Sequence, residues 1–202
     1  MNEKAIRDRI LALPRELRSA AWLAHSCHQG QVRKYTGEPY ILHPLAVAET
    51  VLGLDWDDYR LARSEAARAA LLHDVVEDCA FPLEAIEEHF GQQVCELVDW
   101  CTDRYIPANF PDLNRAKRKT AECTRWELIH PDAIPIKLAD FLDNWPSIVQ
   151  HDPGFAKVYA KEKAEALKVF ETRLDTYGSH LKAHRSLLAP VRRALEVFEP
   201  CP

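Results

Sequence analysis

This sequence predicts an all-α fold, and three observations support the prediction. Apolar side chains recur at the three- and four-residue spacing of amphipathic helices, and segments with the alternating pattern of strands are few. Breaks between the periodic segments carry glycine or proline, as at Gly91 and at Asp152-Pro153-Gly154. A chain of 202 residues is long enough to bury roughly 70% of its unfolded surface in one domain. We therefore predict a single bundle of about ten helices.

The helices follow from the periodic segments in chain order. We expect one domain over residues 1–202, with its core at about 20–180 and a C-terminal helix after it. The predicted helices lie near residues 3–12, 15–29, 43–53, 58–79, 83–90, 92–103, 112–130, 133–150, 155–177 and 180–198.

Two connections between these helices are irregular. In residues 30–44, Gly30, Gly37 and Pro39 exclude a continuous helix. The other connection, residues 107–111, carries two prolines and is predicted to be exposed. Loops of this kind often carry functional residues, because a rigid scaffold positions them at the surface.

Composition excludes several classes of protein. A net charge of −5 and a pI near 6.0 disfavour a protein that coats nucleic acid or binds anionic membranes. No apolar stretch approaches the ~20 residues of a membrane span. The six cysteines lack a CxxC spacing and no secretion signal opens the chain, so we expect reduced thiols in a cytoplasmic protein. No feature of the sequence specifies an oligomeric state.

The segment AARAALLHDVVEDC, residues 66–79, places four titratable side chains in an apolar helix. At about 100° per residue, with His73 as origin, Glu77 falls near 40°, Asp74 near 100° and Asp78 near 140°, all on one face. A solvated acidic face and a metal or acid–base site are both consistent with this pattern. Three alanines precede the polar residues on the same face, which favours a close neighbour and a buried site. Burying carboxylates costs several kcal/mol each unless a cation or hydrogen bonds compensate.

Two further segments carry residues that could bind a metal with His73 and Asp74. His43 lies in the first turn of HPLAVAETVLGL, where the following proline favours the start of a helix. IPIKLADFLDNW, residues 134–145, carries Asp140 beside an apolar stripe. A lone aspartate in this position is usually solvated or a cap. Neutral imidazoles and ionised carboxylates from several elements are nevertheless what a transition-metal site requires.

The order His, His-Asp, Asp resembles the HD superfamily of metal-dependent phosphohydrolases. Three blocks of the sequence are similar, in order and in spacing, to the hydrolase domain of RelA/SpoT-type alarmone enzymes. They are HQGQVRKYTGEPYILHP, LLHDVVED and a third block that contains IKLAD and DN. The similarity covers about residues 20–150, with weaker helical agreement to about 180. It implies an all-helical HD domain, and the length resembles that of a stand-alone small alarmone hydrolase.

This resemblance implies a set of metal ligands and two catalytic residues. Coordination to a metal lowers the pKa of water from about 16 toward neutrality. Glu77 and Asp78 are the candidates to position that water and to shuttle protons. The metal is in this family usually Mn²⁺, one ion per chain, and its implied ligands are His43, His73, Asp74 and Asp140.

Substrate binding is implied mainly for the loop before His43. Arg33 and Lys34 would bind the base and the phosphates, because a guanidinium can stack on a base or fork a phosphate while an ammonium acts as a point charge. Thr36 and Tyr40 would line the pocket, although Tyr40 could equally anchor the loop.

The third block and one basic cluster add two candidates. Asn144 would hold the ribose or the nucleotide. Lys117, in the basic cluster RAKRK, is a candidate for the pyrophosphate, although such a cluster is usually solvated. The family often has Arg and His where this chain has Phe141 and Asp143, which affects the nucleotide side of the site and leaves Asp140 intact.

The function implied is removal of the 3′-pyrophosphate from (p)ppGpp, or from a close relative such as (p)ppApp, to give GDP or GTP, or the adenosine equivalent, and pyrophosphate. One alternative is another HD phosphohydrolase that acts on a 5′-nucleotide, a deoxynucleoside triphosphate or a phosphodiester. A second alternative is a non-catalytic nucleotide-binding module, against which the presence of Glu77 and Asp78 counts.

Overall fold

A computed structural model describes residues 3–56, 60–177 and 181–198, and in these ranges the all-α prediction is confirmed. The ordered elements are helices, apart from one isolated bridge between Val32 and Pro39. The α-helices are α1 (Glu3–Ala12), α2 (Arg18–Cys27), α3 (Leu42–Leu52), α4 (Arg60–Leu72), α5 (Val75–Cys79), α6 (Leu83–Phe90), α7 (Gln92–Cys101), α8 (Arg115–Trp126), α9 (Ala133–His151), α10 (Pro153–Asp175), α11 (Lys182–Ser186) and α12 (Leu188–Leu195).

The centre of the bundle is formed by α3, α4 and α9, and α7 and α10 pack around it. The alanines that precede the polar segment are fully buried, including Ala66, Ala67 and Ala70. A stripe of such small side chains lets α3 approach α4 closely. The expectation of a close neighbour on this face of α4 is therefore confirmed.

The predicted helix 58–79 is wrong as a single element. It is interrupted at His73 and Asp74, between α4 and α5, and its predicted start lies outside the described residues. The His73 imidazole donates from Nδ1 to the carbonyl of Ala70 at 2.7 Å. In a continuous helix that carbonyl would accept from the amide of Asp74. Local side-chain bonds of this kind compete with helical bonds, which gives a physical reason for the interruption.

Capping residues account for two other boundaries. The side chain of Asn114 accepts from the amide of Lys117, so α8 begins at Arg115 rather than at the predicted 112. The side chain of Asp152 accepts from the amide of Phe155, so α10 begins two residues before the prediction. The predicted helix 180–198 is divided at Leu187, and its predicted start also lies outside the described residues.

The irregular segment before α3 is an ordered loop. Gly30 and Gly37 have φ angles of 79° and 69°, a region that favours glycine. The amide of Arg33 donates to the carbonyl of Glu38 at 2.8 Å, and the amide of Tyr40 donates to the carbonyl of Gln31 at 3.0 Å. These bonds fold the loop back on itself and hold it against the start of α3.

The described residues bear on two expectations, the absence of a membrane span and the state of the cysteines. None of their helices combines the length and the apolar character needed to cross a bilayer. The five cysteines among them are free thiols, as predicted for reduced cysteines. Cys201 lies outside the described residues.

Candidate metal centre and the adjoining cavity

Four of the predicted site residues converge where α3, the α4–α5 junction and α9 meet. We refer to His43, His73, Asp74 and Asp140 as the imidazole–carboxylate cluster. The Nε2 atom of His43 lies 3.2 Å from Asp140 Oδ1 and 3.5 Å from Asp74 Oδ2. The Nε2 atom of His73 lies 3.1 Å from Asp74 Oδ2 and 3.9 Å from Asp140 Oδ1. Nitrogen and oxygen atoms of His43, His73 and Asp140 come within 4.8 Å of one another, as a metal site requires.

The outward-facing nitrogens of the two histidines are held by hydrogen bonds. His43 Nδ1 donates to Asp143 Oδ2 at 2.6 Å, and His73 Nδ1 donates to the Ala70 carbonyl at 2.7 Å. Carboxylate and carbonyl oxygens can only accept, so each Nδ1 carries a proton and each Nε2 faces inward, where the neutral imidazole has its lone pair. The two Nε2 atoms are buried and have no hydrogen-bond partner. This is the arrangement of histidines that ligate a metal, whose second nitrogen is fixed by an outer hydrogen bond.

The electrostatics of the cluster favour positive charge at its centre. Burial lowers the pKa of His43, but the carboxylates of Asp140 and Asp143 outweigh this effect and raise it to about 10, so a metal ion at the cluster would take the place of a proton on Nε2. Burial raises the pKa of Asp74, but the charge of His73 outweighs this effect and lowers it to about 2. The carboxylates therefore stay ionised at neutral pH and stabilise a cation between them.

Asp143 and Asn144 connect the cluster to the loop before α3. Arg33 pairs with the carboxylate of Asp143 through Nη1. Its Nη2 donates to the Asp143 carbonyl at 3.2 Å and to Asn144 Oδ1 at 3.0 Å. Asn144 Nδ2 in turn donates to Asp140 Oδ1 at 2.7 Å. Arg33 is thus bound to α9 at three acceptors and is not a solvated turn residue.

The two predicted catalytic carboxylates lie on α5, beside the cluster. The amide of Asp103 donates to Glu77 Oε2 at 3.1 Å, which fixes one oxygen of that carboxylate. Glu77 as a residue is exposed, yet desolvation of its carboxyl group and the charge of Asp103 raise its pKa to about 7. Desolvation and the charge of Asp74 also raise the pKa of Asp78.

A cavity of about 230 Å³ adjoins the cluster between the loop and α9. Two of its residues contact the cluster directly, because the Tyr40 hydroxyl donates to Asp74 Oδ2 at 2.7 Å and Asn144 bonds Asp140. The ring of His28 packs against that of Tyr40 at a tilt of 34°, with ring centroids 4.6 Å apart, and its Nδ1 is hydrogen-bonded to Gln31. The lining consists of Arg33, Lys34, Tyr35, Thr36, Tyr40, Asn144, Ser147, Ile148 and Phe155.

Five of the six predicted substrate-binding residues therefore share one cavity, and Lys117 does not line it. Lys117 is exposed in the first turn of α8. Its helix contributes Arg115 and Lys119 to a separate groove of about 430 Å³ against α10. The helical face explains the difference, because Arg115 and Lys119 are one turn apart on a side that Lys117 does not share.

A second group of charges, which we call the lysine–aspartate cluster, consists of Lys119, Lys137 and Asp103. Lys137 Nζ donates to the carbonyl of Cys101 at 2.9 Å and lies 3.7 Å from Asp103 Oδ1. Lys119 pairs with the other oxygen of Asp103. Burial opposes the charge on Asp103, but these two lysines hold its pKa well below the usual range. Burial and the charge of Lys137 lower the pKa of the nearby Lys163 to about 8.

Sequence reasoning missed three residues of this region. The sequence marks Asp143 only as a departure from the family pattern, although its position three residues after Asp140 on a helix is a signal for a shared face. Asp103 and Lys137 had no such signal, because their partners lie 16 to 36 residues away.

Comparison with known proteins gives matches along most of the chain. A family model described as an HD domain matches residues 20–176. A guanosine-3′,5′-bis(diphosphate) 3′-pyrophosphohydrolase of Vibrio cholerae is 34% identical over 80% of this chain and 22% of its own length. A protein of the same name from Haemophilus influenzae is 47% identical over 71% of this chain and 20% of its own. The chain thus spans about a fifth of the length of these curated relatives.

One solved structure resembles the fold over nearly its whole length. It is described as "A metazoan ortholog of SpoT hydrolyzes ppGpp and plays a role in starvation responses". It superposes with a TM-score of 0.67 and 26% sequence identity, and covers 90% of this chain and 96% of that one. The likeness therefore extends over most of the helical bundle.

Proposed function

Since this chain belongs to the HD-domain family, we propose that it is a metal-dependent hydrolase that removes the 3′-pyrophosphate of (p)ppGpp or of a close relative such as (p)ppApp. The products would be GDP or GTP, or the adenosine equivalent, and pyrophosphate. One observation carries the proposal: the Nε2 atoms of two buried imidazoles face two carboxylates without a hydrogen-bond partner, at the end of a cavity lined by Arg33 and Lys34. The names of the two relatives and the ppGpp hydrolysis ascribed to the similar structure support this choice of substrate.

The imidazole–carboxylate cluster would hold the divalent metal ion that the family implies. Its donor set of two imidazoles and two carboxylates suits a six-coordinate ion of hard to borderline character, and we propose Mn²⁺. A divalent ion bound there supplies Lewis acidity, which makes hydroxide available near neutral pH. The orphaned Nε2 atoms of His43 and His73 support this fit, since buried nitrogens without partners are otherwise unfavourable.

Glu77 is the proposed general base. Its Oε2 is occupied by the amide of Asp103, so the other oxygen is available to take a proton from water. A pKa of about 7 is well matched to that role at neutral pH. Asp78 would assist in proton transfer toward the leaving 3′ oxygen, which must gain a proton when its bond to phosphorus breaks.

The cavity would bind the nucleotide. Arg33 and Lys34 offer positive charge to the phosphates and a flat guanidinium to the base. Thr36 and Tyr40 would line the pocket, and Asn144 would bind the ribose beside Asp140. Lys137 and Lys163 add positive charge close enough to Asp140 to interact with its carboxylate.

A second candidate function is hydrolysis of another phosphate ester by the same metal centre, and one observation favours it. The guanidinium of Arg33 is already engaged by Asp143 and Asn144, which limits its freedom to bind a base. A 5′-nucleotide, a deoxynucleoside triphosphate or a phosphodiester would need the metal centre and make less use of the loop.

A turnover panel with Mn²⁺ tests the two functions against each other. The panel contains ppGpp, ppApp, deoxynucleoside triphosphates and cyclic dinucleotides, with identification of the products. We expect pyrophosphate and GDP from ppGpp, or the adenosine products from ppApp, and little turnover of the others. Turnover of a deoxynucleotide or cyclic dinucleotide without any release of pyrophosphate from ppGpp or ppApp would contradict the proposed substrate.

The same panel run on Glu77→Gln shows whether the turnover comes from this centre. Glu88→Gln, the same change at an exposed residue of α6, serves as the matched control. We expect the control to keep the activity of the wild type on every substrate of the panel.

A further inference from the structure

We propose that Asp143 is a positioning residue of the metal centre, and that Arg33 acts on the centre by holding Asp143. The inference rests on the proposed metal site and adds a connection between that site and the cavity. Its basis is the continuous series of contacts from Arg33 to the Asp143 carboxylate, and from there to His43 Nδ1.

Asp143 fixes the imidazole of His43. The His43 side chain is 1% exposed, and its Nδ1 proton is bonded at 2.6 Å to Asp143 Oδ2. This bond leaves Nε2 as the nitrogen that can bind a metal and fixes the plane of the ring toward Asp74 and Asp140. A carboxylate in such an outer position also makes the imidazole a stronger donor.

Asp143 is itself held by Arg33. The carboxylate of Asp143 is 25% exposed and could rotate away from His43 if nothing else bound it. Arg33 binds both the carboxylate and the backbone carbonyl of Asp143, so the guanidinium contacts the residue at two points. The third hydrogen bond of Arg33, to Asn144, also holds the guanidinium against α9.

Arg33 also links this arrangement to the cavity. It lines the cavity while it holds Asp143, and its own side chain is only 13% exposed. A ligand that draws Arg33 into the cavity would loosen Asp143 and hence His43. Arg33 therefore has two functions, one toward the nucleotide and one toward the metal centre.

Asp143→Asn is the decisive variant, because it keeps an oxygen that can accept from His43 and removes the charge that holds Arg33. Binding of Mn²⁺ alone to the full chain, after removal of metal with a chelator, is measured by titration calorimetry. We expect Mn²⁺ to bind ~10- to 100-fold more weakly, the usual effect of losing an outer partner of a ligand. Asp99→Asn is the matched control, since Asp99 also pairs with an arginine and is 26% exposed. It should leave Mn²⁺ binding unchanged.

A double-mutant cycle tests the role of Arg33. Arg33→Ala should weaken Mn²⁺ binding by a smaller factor in the Asp143→Asn protein than in the wild type, because the two residues act in series. Melting temperatures of the metal-free variants establish that each is folded as well as the Asp99→Asn control. If Asp143→Asn binds Mn²⁺ within ~3-fold of the wild type, the positioning role is wrong. Equal factors for Arg33→Ala in both backgrounds would overturn its action through Asp143.

The test of Asp143 does not depend on whether the proposed substrate is correct. Mn²⁺ binding is measured without nucleotide, so the inference can hold when ppGpp is not a substrate. A wild-type protein that binds Mn²⁺ normally and releases no pyrophosphate would contradict the substrate and leave the role of Asp143 standing.

Discussion

Two charged clusters share helix α9, and they differ in the groups that face their carboxylates. In the lysine–aspartate cluster, Lys137 is bonded to a carbonyl and faces Asp103, which Lys119 also pairs with. Three residues later on the same helix, Asp140 belongs to a cluster in which two imidazole nitrogens have no partner. The first cluster surrounds its carboxylate with two lysine ammonium groups, and the second offers two carboxylates and two imidazole nitrogens as ligands for a cation.

This difference distinguishes a network of ion pairs that stabilises the fold from a cluster that can bind a metal. Buried ion pairs and metal-binding residues look alike in sequence, since both place charged residues in apolar helices. The groups that face the carboxylates distinguish them, because lysine ammonium groups face Asp103, whereas imidazole nitrogens, which can ligate a metal, face Asp74 and Asp140. We expect that changes in the two clusters will affect different properties, metal binding and turnover in one and stability in the other.

The largest effect is expected from His73→Ala. Loss of one of two inward-facing imidazoles should weaken metal binding by more than ~10²-fold, beyond the range of an outer-partner change, and abolish measurable turnover. Metal analysis of the purified protein should find about one ion per chain in the wild type and none in the variant. His89→Ala, at an exposed histidine of α6, is the control. Full metal retention by His73→Ala would remove it from the ligand set.

Lys137→Met tests the other cluster. Removing the charge from a buried lysine leaves the Cys101 carbonyl without its donor and Asp103 without one of its two paired cations, and should destabilise the protein by about 3 kcal/mol. Chemical denaturation measures this change, with Lys168→Met as an exposed control. Mn²⁺ affinity should stay near that of the wild type. A large loss of metal binding without loss of stability would show that the two clusters are not separate.

Glu77→Gln should separate binding from chemistry. It preserves the size of the side chain and an oxygen for the amide of Asp103, and it removes the proposed base. We expect kcat to fall by at least ~10²-fold, the usual worth of a positioned base, while Mn²⁺ binding is kept. Steady-state kinetics beside Glu88→Gln provide the measurement. A kcat near that of the wild type would transfer the role to Asp78 or to water.

The sequence predicted which residues come together in the candidate site better than it predicted the helices that carry them. The positions of His43, His73, Asp74 and Asp140 follow from spacing and resemblance, and the structure brings them together. The interruption between α4 and α5 could not be predicted, because it depends on the bond from His73 to the Ala70 carbonyl. Helical periodicity continues through such a break, so a wheel drawn over residues 66–79 treats two elements as one.

The contacts of Asp143 and Asp103 could not be predicted from the sequence either. Asp143 meets Arg33, which is 110 residues away, and Asp103 meets Glu77, which is 26 residues away. Periodicity reports which face a residue occupies and carries no information about partners on other elements. The all-α class, by contrast, depends on local patterns repeated many times along the chain, and it was predicted from them.

The smallest effect concerns pH. The pKa of Glu77 is raised from an ordinary value of 4.5 to about 7, so its contribution to stability is present below pH 4.5 and is lost as pH rises through 7. Glu77→Gln should therefore melt at the same temperature as the wild type near pH 4.5 and at a higher temperature at about pH 8. The measurement is made on metal-free protein. An equal difference at both pH values would mean that Glu77 is not desolvated as described.

Crystals grown with Mn²⁺ and measured at the manganese absorption edge would locate the bound metal ion. We expect one anomalous peak per chain, within bonding distance of His43 Nε2, His73 Nε2 and carboxylate oxygens of Asp74 and Asp140. The lysine–aspartate cluster should show no peak. A fully occupied peak at another position, or none at the imidazole–carboxylate cluster with Mn²⁺ in excess, would contradict the assignment of this cluster as the metal centre.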